Sequence, residues 1–153
     1  MGGDERHDMT RRILVPIDGS DHSWKAVEYA LETFDGEEIH VLHVVDPAES
    51  VYTGVEGGYS DQRSFEVARA AGEELCEEAR DHAENTGALE TTVLETAVEV
   101  GRPTREILGY AADQEVDHIV MGSHGRSGVS RVLLGSVAET VMRRAAVPVT
   151  ILR

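Results

Sequence analysis

Between Ile13 and Leu152 the apolar residues fall into short unbroken runs, separated by stretches in which they recur every three or four positions. Ile13-Leu14-Val15-Pro16-Ile17 is too continuous for a half-exposed strand and too short for a buried helix, so it predicts a central strand. Trp24, Val27, Leu31 and Phe34 follow at helical spacing, with Ser20 or Asp21 available as the cap and Asp35-Gly36 as the stop. A second β-branched run, Ile39 to Val45, closes at Asp46-Pro47 and completes a β-α-β unit. From Asp46 to Asp61 the chain carries Gly, Ser, Tyr52 and Tyr59 without a sustained period, which predicts a long loop and a candidate lid.

The alternation then resumes. Phe65, Ala68, Gly72, Leu75, Ala79 and Ala83 mark one face of a long helix, Glu66, Glu73, Glu77 and Glu84 mark the other, and Gly87 ends it. Thr91 to Ala97 reads as an outer strand. Pro103 suits the first turn of a helix over about Thr104 to Gln114, whose core face is Ile107, Leu108 and Ala111. His118 to Met121 is a short buried strand, Gly122 to Gly135 a glycine-rich segment, Ser136 to Arg144 a helix and Val147 to Leu152 the last strand. Strands alternating with helices predict an α/β fold: one Rossmann-like domain over residues 12–153, an open sheet of five mainly parallel strands with helices on both faces. Residues 1–11 read as a polar tail.

Length agrees with one domain, since 153 residues leave room for a single core. Charge narrows the function. With 29 acidic residues against 14 basic ones, the formal net charge is −15. A broad grip on nucleic acid or an anionic membrane is excluded, because phosphate binding over a surface needs clustered Lys and Arg. Lys25 is the only lysine, and Trp24-Lys25-Ala26 is no P-loop. Cys76 stands alone, which fits a reducing cytoplasm and leaves no thiolate metal cluster. The first twelve residues lack an apolar signal region, and no apolar run approaches the roughly 20 residues that span a bilayer. A soluble cytoplasmic protein is the expectation.

Candidate chemistry concentrates in Met121-Gly122-Ser123-His124-Gly125-Arg126-Ser127-Gly128 and in Gly135-Ser136. Glycines between a strand end and a helix start let backbone N–H groups converge on an anion where the helix dipole favours negative charge. A plain turn is the alternative. Ser136-Val137-Ala138-Glu139 also has the spacing of a capping box, which accounts for both polar residues without a ligand. Asp18 ends the first strand, where open α/β sheets place ligands near the reversal of strand order. There it could accept from ribose or an adenine amino group, or simply start a turn. His40 and His43 lack a third ligand at metal spacing and read as core or rim histidines. Arg102 and Arg105 read as partners of nearby glutamates, and Cys76 as a small buried group.

From Ile13 to Leu152 the chain resembles the universal stress protein family. The resemblance rests on Ile13 to Ser20, Leu42-His43-Val44-Val45-Asp46, Gly101-Arg102-Pro103, His118 to Gly125, Gly135-Ser136 and Val147-Pro148-Val149. Gly122, Gly125, Gly135 and Ser136 match the G-x-x-G, nine residues, G-[ST] pattern of its ATP-binding branch. The resemblance implies an adenosine-nucleotide site. Asp18 would hold the ribose, Val44 would meet adenine through its backbone, and Pro16, Ile17 and Met121 would be apolar neighbours of the base. Gly122, Gly125, Gly135, Ser136 and Val137 would surround ribose and phosphates, with any Mg²⁺ held by the phosphates. His124 and Arg126 fall inside that segment as possible contacts or as solvated loop residues. The resemblance also implies a homodimer through Val147 to Leu152, and Pro148 independently marks that strand as an edge.

Three functions follow as expectations. The first is a regulatory, stress-responsive nucleotide-binding homodimer. The second is a slow ATPase or self-phosphorylating enzyme using Ser123, Ser127 or Ser136. The third is a nucleotide-free interaction protein of the same fold, against which the glycine pattern stands. The acidic excess with a single lysine points to adaptation to a salty, halophilic cytoplasm.

Overall fold

A computed structural model describes residues 10–48, 62–124 and 134–153. The strands are β1 (Arg12–Pro16), β2 (Glu38–Val45), β3 (Val93–Val100), β4 (His118–Gly122) and β5 (Val149–Leu152). Between them run the helices α1 (Asp21–Thr33), α2 (Gln62–Asn85), α3 (Pro103–Asp113) and α4 (Ser136–Arg144). The sheet order is β3-β2-β1-β4-β5 and each of the four ladders is parallel. The chain thus works outward from β1 on one side, returns to β4, and works outward on the other.

Burial on both faces explains the unbroken apolar run of β1, in which Ile13, Leu14 and Val15 are all fully buried. Side chains alternate across the sheet. Ile13, Val15, Ile39 and Val41 pack under α1 and α2 with Ala26, Val27, Ala30, Ala79 and Ala83. Leu14, Leu42, Ile119 and Met121 pack under α3 and α4 with Ile107, Ala138 and Val141. Helix α2 turns Gly72, Cys76, Ala79 and Ala83 inward, and its small side chains let it lie close to the sheet. A Cβ on Gly72 would stand 2.6 Å from Cδ2 of His43. Burial pushes the Cys76 thiol upward from its ordinary value, in keeping with an inert core group. Glu66, Glu73, Glu77 and Glu84 face outward. No helix among the described residues is long and apolar enough to cross a membrane.

Two strands, β3 and β5, differ from the sequence pattern by more than one residue at an end. β3 runs two residues later at its start and three at its end than Thr91 to Ala97, because its ladder with β2 extends from Glu38↔Val93 to Val45↔Val100. Thr91 and Thr92 instead bond the Asp35 carboxylate through their hydroxyls. β5 begins at Val149 because Pro148 has no N–H to give, although its carbonyl accepts from Ile119 N at 3.0 Å. β3 and β5 form the two edges, as expected of an outer strand and a proline-led one.

Both strand-two histidines are core residues with assigned partners. His43 Nδ1 lies 2.9 Å from the Ile17 carbonyl. His40 bridges sheet and helix, with Nε2 2.6 Å from Glu38 Oε2 and Nδ1 2.6 Å from the Tyr110 hydroxyl of α3. Burial, then Glu95, Glu99 and Glu38, push the Tyr110 phenol up to about 12. A phenol raised in the folded state holds its proton longer than in the unfolded chain, so its contribution is intact below about pH 10 and is lost as pH rises toward about 12. Tyr110→Phe should therefore be less stable than wild type by about 1 kcal/mol at pH 9.5. The gap should narrow by pH 11.5 in denaturant titrations, and a gap independent of pH would refute the assignment.

Candidate functional site

The carboxyl ends of β1 and β4 lie side by side where the strand order reverses, the place at which open α/β sheets hold ligands. On the β1 side the chain makes a tight turn. Asp18 Oδ1 accepts from Ser20 N at 3.0 Å, and Gly19 sits at φ +86°, a conformation that L side chains rarely adopt. Ser20 then caps α1, accepting from Ser23 N at 3.2 Å, while the buried Ser23 hydroxyl donates back to the Ser20 carbonyl at 2.9 Å. Asp18 therefore does start a turn, and that same turn holds its carboxyl group at the strand end.

On the β4 side the spacing is set by contact between backbones. A Cβ on Gly122 would lie 2.7 Å from His22 Cβ and 2.8 Å from the His22 carbonyl carbon, so α1 can cross here only over glycine. Ser123 N donates to Leu152 O at 2.7 Å, and the buried Ser123 hydroxyl lies 3.0 Å from His124 Nδ1. Gly135 N donates to Ser123 O at 2.6 Å, which brings the start of α4 back against the end of β4.

That start corrects the capping-box reading. Gly135, not Ser136, is the N-cap, and no side chain caps the helix. Ser136 is exposed at the first helical position, and the Glu139 carboxylate reaches Arg143 at 3.2 Å instead of turning back. The Gly135 amide is held by the Ser123 carbonyl. The amides available to an anion are those of the first turn, from Ser136 and Val137 onward, which lack intrahelical acceptors by the geometry of any α-helix.

The remaining candidates divide by face. Met121 is buried on the α3 and α4 side, where alternation also places Pro16 and Val44, whereas Ile17 is buried under α1 and α2. Leu42 O accepts from Ile17 N on the β1 side, and Val45 O accepts from Gly101 N on the β3 side. Alternation then turns the backbone groups of Val44 toward β1, past the last ladder pair Pro16↔Leu42. Gly125, Arg126 and Ser127 lie outside the described residues, as does the loop from residue 49 to 61. Arg102 is the N-cap position of α3, and Arg105 lines a surface hollow of about 270 Å³ with Glu99, Glu106 and Asp113. None of the described nucleotide-site candidates lines it.

His124 is not the solvated loop residue that its position first implies. Its ring is tilted at 57° to that of His22, with centroids 5.5 Å apart, and its Nε2 is buried. Nothing in the residue pattern singles out His22, because its role arises from the crossing of α1 over Gly122.

A sequence model of the universal stress protein family matches residues 9–153. This chain belongs to the universal stress protein family. It is 35% identical over 147 residues to universal stress protein MJ0531 of Methanocaldococcus jannaschii, a match that covers 94% of this chain and 82% of the relative. The solved structure of hypothetical protein MJ0577 superposes with a TM-score of 0.68 at 32% identity, covering 94% of this chain and 96% of that one. A universal stress protein solved in complex with cAMP superposes with a TM-score of 0.64 at 26% identity, covering 94% and 96%.

In this universal stress protein the crossing at Gly122 is a tight contact with rigid atoms on both sides. Gly122→Ala should cost about 1–3 kcal/mol or more, because the atoms it meets are the rigid Cβ and the backbone of His22. Gly109→Ala, exposed in the interior of α3 where a Cβ meets nothing within 4 Å, should instead raise stability by about 0.5–1 kcal/mol. Equal melting of the two variants would show that the crossing is not tight.

Proposed function

We propose that this universal stress protein binds an adenosine nucleotide, with ATP as the first ligand to test, and acts as a regulatory homodimer. The observation that carries the reading is the Gly135 N–H bond to Ser123 O at 2.6 Å, which sets the first turn of α4 beside the end of β4, at the reversal of strand order where Asp18 also lies. Such a helix start offers N–H groups and a favourable dipole to a phosphate. The 26% identical relative in complex with cAMP supports the ligand class. In this reading Asp18 accepts from the ribose, the Val44 backbone meets adenine, and Gly122, Gly125, Ser136 and Val137 border ribose and phosphates. Any Mg²⁺ is held by the phosphates. The homodimer reading is supported by β5, an edge strand whose four residues are all partly buried. Self-phosphorylation on Ser123 is disfavoured, since that residue is only 1% exposed.

Calorimetry with ATP, ADP, AMP and cAMP tests the binding reading. Asp18→Ala should weaken the preferred nucleotide at least about tenfold, equivalent to about 1.4 kcal/mol, without dissociating the dimer in sedimentation. Asp18→Asn preserves the turn acceptor while removing the charge, and should also weaken binding. Unchanged affinity in both variants would remove the site.

The acidic surface fits a salt-rich cytoplasm. The exposed glutamates of α2 repel one another, and salt screens that repulsion. Thermal stability should rise between 0.1 and 2 M KCl by the order of ten degrees, and a flat or falling profile would contradict this setting.

A further inference from the structure

We propose that nucleotide binding by this protein is coupled to proton uptake, with His124 as the group that takes the proton and His22 as its modulating neighbour. This rests on the nucleotide reading above and adds a regulation of the same site. The His124 ring lies between three elements. Its Nδ1 is 3.0 Å from the Ser123 hydroxyl at the end of β4, and its plane tilts against His22 of α1. Its Cδ2, the carbon next to Nε2, would be 3.9 Å from a Cβ on Gly135. The carbon bonded to Nε2 thus lies beside the N-cap of α4, where a phosphate is expected.

Nε2 is buried and has no hydrogen-bond partner among the described residues. A neutral imidazole has one donor and one acceptor nitrogen, whereas an imidazolium has two donors. A proton on each nitrogen of His124 therefore needs a second acceptor that the described residues do not supply. A phosphate oxygen at the start of α4 is such an acceptor, and it favours the charged ring. Binding and protonation then strengthen each other, and the linkage is reciprocal.

The titratable and charged groups on the elements around this ring set the background. Helix α1 contributes His22, Asp21 and Lys25, the last of which donates to the Arg153 carbonyl beyond β5. The β1 turn contributes Asp18, with Oδ1 engaged by Ser20 N. Helix α4 contributes Glu139, paired with Arg143. A second charged imidazole 5.5 Å away opposes the first, so removing His22 should strengthen the uptake at His124.

The test is calorimetry of ATP binding in two buffers of different ionisation enthalpy, from pH 6 to pH 8, with wild type, His124→Gln and His22→Asn. The free ligand titrates identically in each experiment, so the difference between proteins reads the imidazole together with the phosphate it faces. Wild type should take up more protons than His124→Gln. The ratio of their affinities should grow about 3- to 10-fold as pH falls from 8 to 6, the upper value being one proton bound over one pH unit. His22→Asn should retain or enlarge that ratio. Equal uptake and a constant ratio would overturn the proposal while leaving nucleotide binding intact. No binding heat for wild type at any pH would remove the nucleotide reading and this proposal with it. Should His124→Gln fail to fold, the histidine Cε1–H resonances of wild type decide. ATP should raise the titration midpoint of one ring, and unchanged midpoints would overturn the proposal.

Discussion

Helix α1 crosses the end of β4 so closely that the missing side chain of Gly122 is the space the helix occupies. A Cβ there would meet the Cβ, carbonyl carbon and carbonyl oxygen of His22 at 3.0 Å or less. That approach fixes the distance between the Asp18 turn, which leads into α1, and the Ser123 carbonyl, which receives the Gly135 amide and so positions α4. One absent methyl thus sets how closely the start of α1 and the end of β4 approach each other. The glycines of this segment serve packing at least as directly as they serve a ligand. Gly135 shows the same double use, since a Cβ on it would come within 3.1 Å of the Ser123 carbonyl that its own amide bonds.

The sheet makes this precision possible by being anchored on both faces. β1 contributes alternate side chains to two separate cores, so neither helix pair can slide without disturbing the strand from which Asp18 projects. The buried polar groups of β2 are tied in the same two directions, His43 to the carbonyl of Ile17 one residue before Asp18, and His40 to Glu38 and Tyr110. Buried polar groups with assigned partners specify one arrangement more sharply than apolar contacts do. The histidines that looked like incidental core residues therefore help hold the end of β1 in register.

Much of this architecture is legible in residue order. Periodicity recovers each helix and strand because each buries a face against a partner of fixed period, and Ser136 to Arg144 emerges with its observed bounds. Three features escape it, each for a physical reason. The capping box at Ser136 is a local pattern that the long-range bond from Gly135 to Ser123 overrides, moving the cap back by one residue. The late start and long run of β3 follow from its ladder with β2, a pairing no local window contains. His22 acquires its place only because α1 meets β4 at a glycine one hundred residues away in the chain. The geometry of the candidate site was readable where it is local, as in the turn at Asp18 and Gly19, and unreadable where it depends on two elements meeting.

The single lysine and the charge of −15 then bear on how such a site can work at all. At long range the acidic surface repels a nucleotide, which makes electrostatic steering unfavourable in dilute salt. Near 1 M salt the screening length falls to about 3 Å, and both repulsion and steering by surface charges fade. What would survive for the proposed nucleotide site is contact-range interaction: amides at a helix start and a carboxylate on ribose hydroxyls. A lysine-based phosphate clamp draws much of its advantage from the long-range attraction that such a medium removes. A site built from backbone amides, as proposed here, would depend on geometry instead, and the crossing at Gly122 is the close contact that fixes the geometry around it.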